Sequence, residues 1–207
     1  MTRHPMRFDD VIAAIDEAHA RDPQIVEIDG RGVPAELLYG QRMSEALARI
    51  APNASPLLQI AVRGQHIERW TSPRAGYPAG RAGYLKWRSD LKAFHARRLG
   101  EIMAANGYEP HDAARVGALV RKERLRSDPE AQMLEDAACV VFLTHYLADF
   151  MSKTEDAKLA RILAQTWNKM SASGRAHASK LDLPPRALTL LKRGLERAGG
   201  EADFLTG

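Results

Sequence analysis

The stretch RAGYLKWRSDLKAFHARRLGEIMAAN, residues 81–106, decides the fold. Tyr84, Arg88, Leu91, His95, Leu99 and Ile102 recur at spacings of three and four, which places them on one stripe of a long helix. Asn106-Gly107 is the left-handed cap that ends it. Working backwards, TSPRAGYPAG at 71–80 has two prolines and two glycines and must be a loop. A helix precedes it, opening on Ser55 as N-cap with Pro56 in its first turn and carrying Leu57, Leu58, Ile60, Ala61 and Val62 up to His66. Another spans about 34–50 through Leu37, Leu38, Met43 and Leu47, and a first covers about 7–20 before Pro23 forbids continuation. VEIDGRGVP at 26–34 reads as a connector turning at Asp29-Gly30.

Working forwards, helices are expected at 111–122, from the capping SDPE at 127–130 to about Met151, at 155–170, and at 184–198. No segment alternates for long, so strands are absent or trivial. The expected fold is all-α, a bundle of about seven or eight helices around one core. Residues 1–180 form the main domain, and 181–207 a C-terminal helix with a loose tail beyond 199.

A chain of 207 residues with 45% hydrophobic and 27% charged residues can bury one substantial core. Its longest apolar run, AACVVFL at 137–143, falls far short of the roughly 20 residues a membrane span needs. The first residues lack the features of a secretory signal, so a cytoplasmic protein is expected. Cys139, alone and inside an apolar run, reads as a buried thiol without catalytic work. A net charge of +4 favours anionic ligands over cationic ones.

Three groups of residues could carry chemistry. His95 shares its stripe with Leu91 and Leu99, and His66 follows Leu58 and Val62, so both imidazoles point inward. Glu135 and Asp136 lie about two turns into their helix, beyond the reach of its dipole, where a buried carboxylate needs a partner or a metal. Together His66, His95 and Asp136 make a donor set suited to Mn, Fe, Zn or Ni, with Glu135 as general base or fourth ligand. The same histidines also fit hydrogen-bonded core positions. Arg74, Arg81, Arg88 and Lys92, interleaved with Trp70, Tyr77, Tyr84 and Trp87, form an anion clamp to which Lys122 adds, or a set of arginine stems lying over core aromatics. His4, His19, His111, His145 and His177 read as exposed or incidental, and Gly107 and Gly174 as turn residues.

LYGQRM, QHIERW, PRAGYP, RAGYLKWR, FHARRLGEIM, DPEAQMLEDAACVVFL and KMS resemble the domain of unknown function 4202 family over about residues 7–180. That resemblance implies architecture and names no activity. More distantly the pattern resembles the HD-domain metal-dependent phosphohydrolases, which are all-helical. On that resemblance Tyr39 stands where the first histidine ligand belongs, and His66 keeps the histidine of the His-Asp pair while Ile67 replaces its aspartate. His95 matches an additional histidine of some members, and Asp136 matches the late aspartate. Two of the four defining ligands are absent, so the resemblance implies a single-metal site at most, or one that only binds.

The expectation is a cytoplasmic HD-like protein that binds an anionic or phosphorylated small molecule, a nucleotide among the candidates, and hydrolyses it if one divalent metal is held. The alternative is a non-catalytic module binding RNA or a protein through the basic and aromatic surface at 63–92.

Overall fold

A computed structural model describes residues 8–197. The chain opens with α1 (Phe8–His19), which ends just before Pro23, and continues into a hairpin of β1 (Ile25–Ile28) and β2 (Arg31–Pro34). The strands pair antiparallel, Ile25 opposite Pro34 and Ile28 opposite Arg31. Asp29 and Gly30, at φ of 50° and 74°, form the two-residue turn that an Asp-Gly pair favours. The segment read as a plain connector is therefore a small sheet, with four-residue strands too short to alternate visibly.

Helices account for most of the rest: α2 (Ala35–Ile50), α3 (Pro56–Arg63), α4 (Gly80–Ala105), α5 (Pro110–Arg121), α6 (Pro129–Val141), α7 (Leu147–Ser152), α8 (Asp156–Lys169), α9 (Ala172–Ala178) and α10 (Pro185–Arg197). The fold is all-α apart from the hairpin. Ser55 caps α3 by accepting from the Leu58 amide at 3.1 Å. Asp128 caps α6 by accepting from the Glu130 amide at 3.0 Å. Arg115 reaches from α5 to Asp128 and Glu130, tying α5 to the start of α6.

One core runs through the molecule. Ile15, Met43, Leu58, Leu99, Leu134 and Leu159, from six different helices, are fully enclosed, and each contributes about 1.5–3 kcal/mol by leaving water. Leu190, Leu191 and Leu195 of α10 join the same cluster, and α10 packs on α8 closely enough that Gly194 lies against the Ala160 carbonyl. The terminal helix is thus part of the main core; the tail expected to be loose lies outside the described residues. No described helix is long and apolar enough to cross a membrane.

Four local readings need correction. First, α3 stops at Arg63 and not at His66, because Gly64 passes so close to α4 that a Cβ there would sit 2.3 Å from Leu99 Cδ2. The chain then leaves the helix and turns, driving Ile67 into the core. Second, the buried face of α4 begins with Gly83 and Trp87 before it reaches Leu91, His95, Leu99 and Ile102, which leaves Tyr84 and Arg88 exposed beside it. Third, Phe142–Tyr146 joins α6 to α7 as a π-helical turn inside what reads as one continuous helix. Fourth, SASGRA forms the start of α9, capped by Ser171, so Gly174 is helical.

Candidate functional site

α2, α4, the end of α5, α6 to α8 and the turn after α3 line a cavity of about 730 Å³ that opens to solvent. One wall is built from Glu36, Tyr39, Gln65, His66, Arg69 and His95. Asp22, itself buried, accepts from the Glu36 amide at 3.0 Å, serving a first-turn N–H of α2 and fixing Glu36 at the cavity edge. Burial pushes the Glu36 carboxyl up to about 7, with Arg69 pulling it down and Asp22 pushing it further up. Its Oε2 lies 3.7 Å from His66 Nδ1 and has no hydrogen-bond partner.

The His66 ring stacks on Tyr39, centroids 4.3 Å apart and planes within 9°. Burial, and then the Arg69 cation, hold His66 well below its ordinary pKa. Burial likewise pushes His95 down to about 4, against the opposing pull of its bond to the Ile67 carbonyl. Both imidazoles are therefore neutral at neutral pH. His95 Nδ1 must carry the proton to donate to Ile67 O at 2.8 Å, which leaves Nε2 as an acceptor. Arg69 donates to His66 Nδ1 at 3.5 Å, so His66 carries its proton on Nε2. The rings, 6.1 Å apart by centroid, thus offer one acceptor and one donor.

The second wall is cationic: Arg88 and Lys92 on successive turns of α4, Lys122 at the end of α5, and Lys169 at the end of α8. Lys122 sits in the left-handed region at φ 58°, a conformation that costs a non-glycine residue on the order of 1 kcal/mol or more and collects at functional sites. Its ammonium donates to Glu135, and Lys169 lies 3.9 Å from the same carboxylate. Burial alone would raise the Glu135 carboxyl, but Lys122, Lys169 and Arg88 outweigh it and hold it below its ordinary pKa. Burial, followed by the neighbouring cations Arg88 and Lys122, lowers Lys92. Among the described residues Arg88 and Lys92 have no ion pair. Phe142 and Tyr146 of the π turn, with Phe150, also line the cavity, and the Tyr146 ring lies 6.1 Å from that of Tyr39 by centroid. π turns are rare and often accompany functional sites.

His66, His95, Glu135, Arg88 and Lys122 all come to this cavity. Asp136 does not. Adjacent helix residues point about 100° apart, and Asp136 faces α9, where Oδ1 accepts from the Ser171 amide and Gln132 Nε2, both at 2.9 Å, and Oδ2 from Ser171 Oγ at 2.5 Å. Gly174 leaves room for it, since a Cβ there would sit 2.5 Å from the Asp136 carboxyl carbon. The expected set of His66, His95 and Asp136 therefore does not assemble, and among the described residues no group of three or more His, Cys, Asp or Glu could hold a metal ion. The donors expected for Mn, Fe, Zn or Ni do not fit this arrangement. Glu135, engaged by two lysines, is placed to hold Lys122 rather than to take a proton as a general base.

Arg74 and Arg81 also lie outside the cavity lining. The Arg74 guanidinium donates to the carbonyls of Tyr77 and Pro78, at 3.0 and 2.9 Å, closing its own loop. Arg81 is exposed. Trp87 is a core anchor, its Nε1 donating to Ser72 O at 2.9 Å and its ring covered by Arg69 at 5.3 Å. His19, read as incidental, is fully buried and meets the Arg63 carbonyl at 3.2 Å. His4 lies outside the described residues. Cys139 is buried as expected, its thiol pushed up to about 12 by burial.

Glu36, Gln65 and Lys169 are the functional candidates that sequence reasoning did not single out. A first-turn glutamate is ordinarily explained by the helix dipole, which hid Glu36. The signal for the other two was present in QHIERW, which contains Gln65, and in KMS, which begins with Lys169.

The cavity residues, from Gln24 to Lys169, all fall inside a match to Domain of unknown function (DUF4202) that spans residues 9–191. The chain belongs to that family. No curated protein and no solved structure matches it. Of the positions that the HD-domain resemblance singled out, Tyr39, His66 and His95 come together within this family member's cavity and Asp136 stands apart.

Proposed function

We propose that this protein binds an anionic small molecule, a phosphorylated one above all, in the cavity between α2, α4 and α6. The observation that carries this reading is the pair Arg88 and Lys92, which have no ion pair among the described residues, on one face of α4 in a cavity lined by five cationic side chains and two carboxylates. One of those carboxylates, Glu36, has its pKa raised to about 7 by burial. Arg88 is exposed and Lys92 half-buried, so both guanidinium and ammonium are free to form charge-assisted contacts with an arriving phosphate. The volume suits a small ligand, and the aromatic lining suits a ring such as a nucleotide's base. Because the expected donors do not converge, binding without a resident metal is the form of the function these side chains support best.

An RNA- or protein-binding surface at 63–92 has less to recommend it. Trp87 is buried, Arg74 is tied to its loop, and Arg63 is held by Asp16 through two 2.6 Å contacts. Titration calorimetry with pyrophosphate at low salt tests the proposal. Binding is expected, weakened about 10- to 100-fold in Arg88→Ala and in Lys92→Ala, as loss of a charge-assisted contact implies. No heat from pyrophosphate, phosphate or mononucleotides would overturn it.

A further inference from the structure

Three buried side-chain atoms among the described residues have no hydrogen-bond partner: His19 Nδ1, Glu36 Oε2 and Gln65 Oε1. Native interiors rarely leave such atoms unpaired, and each one calls for a reason. Two of the three belong to residues that line the same cavity as the stacked Tyr39 and His66. Glu36 stands one turn before Tyr39 on α2; Gln65 donates to Tyr39 Oη at 2.8 Å and precedes His66 in the chain. Gln65 is only 5% exposed, so bulk water does not serve it. Turning its amide over would exchange which atom is satisfied by Tyr39 and leave the other alone. The acceptors are thus gathered on the wall formed by α2 and the turn after α3, while Arg88 and Lys92 lie on α4.

We propose that Glu36 and Gln65 recognise a hydrogen-bond-donating edge of the ligand, an amide or amino-substituted planar ring, whose anionic end lies on Arg88 and Lys92. This rests on the anion-binding reading above and adds the identity of the ligand's other end. A donor edge supplies the kind of hydrogen bond that these two oxygens lack. His66 Nε2–H and His95 Nε2 stand beside it as a further donor and acceptor. A site of this kind discriminates strongly, because an analogue without donors leaves buried acceptors unpaired.

The test compares adenosine and guanosine 5′-monophosphates, which carry amino donors, with purine riboside 5′-monophosphate, which keeps phosphate, sugar and ring but has no donor on its base. Calorimetry on the parent protein should show the donor-bearing compounds binding at least about tenfold more tightly. Glu36→Leu should remove most of that preference, and Gln65→Leu should reduce it, with melting curves confirming that both variants fold. Equal binding of the three compounds by the parent, or a preference that survives both variants, overturns the donor-edge proposal while leaving anion binding in place. Failure of the parent to bind pyrophosphate or any of the monophosphates overturns both.

Discussion

Glu36 illustrates how one residue's surroundings set its chemistry. With its pKa raised from 4.5 to about 7, the folded protein holds that proton more tightly than the unfolded chain does. The sign follows: its contribution to stability is present below about 4.5 and is lost as pH rises through 7, at most about 3 kcal/mol. Glu36→Gln should therefore stabilise the protein at pH 8 by about 1–3 kcal/mol and change little at pH 4.5. Urea unfolding at both values checks this, and a difference independent of pH contradicts it. His95 works the other way. Its pKa is lowered to about 4, so the stability it contributes is full above 6.5 and is lost as pH falls towards 4. In the Glu36→Gln background, where the opposing titration is gone, unfolding should become steadily easier between pH 6.5 and 4. The two histidines were legible in the sequence because a polar ring on an apolar stripe stands out. Glu36 was not, since nothing in the sequence tells a solvated first-turn carboxylate from one that a neighbouring hairpin and helix bury.

Adjacent residues on one element can serve opposite neighbours, and α6 shows it. Glu135 faces Lys122 and the cavity, whereas Asp136 faces α9 and caps nothing that a ligand would touch. Sequence patterning placed both carboxylates inside the protein but could not say which neighbour each would meet. Asp136→Ala leaves the Ser171 amide and hydroxyl without their acceptor and takes from the Gln132 amide one of its two, the Lys169 carbonyl remaining, at a cost of about 2–4 kcal/mol. Faster amide exchange across α9 and a lower melting temperature are expected, with pyrophosphate affinity retained. Loss of binding without loss of stability would return Asp136 to the site. The helix limits set by Ser55, Asp128 and the Pro residues were readable because caps and breakers act locally. The end of α3, the π turn and α9 were not, because Leu99 against Gly64 and Asp136 against Ser171 are tertiary contacts.

The whole molecule has one core, and that core includes α10. Removing residues 184–207 would strip Leu190, Leu191 and Leu195 from α8, each contributing about 1.5–3 kcal/mol, which approaches the whole stability of a typical domain. The shortened chain should lack cooperative thermal unfolding; a folded one that still bound pyrophosphate would argue for a division near residue 180. At the same scale, charge balance favours anion binding without a resident metal. Dialysis against EDTA should leave pyrophosphate affinity unchanged, and an affinity lost and then restored by Mn, Fe, Zn or Ni would reinstate a metal. Basic clusters were visible in the sequence, yet only the fold separates Arg88, turned to the cavity, from Arg74, spent on its own loop. The most direct measurement is a crystal structure with pyrophosphate bound. Density for the anion in hydrogen-bond contact with Arg88 and Lys92, inside the cavity, is the predicted result. Anion density only on the outer surface around Arg81, with the cavity holding none at saturating pyrophosphate, would contradict it.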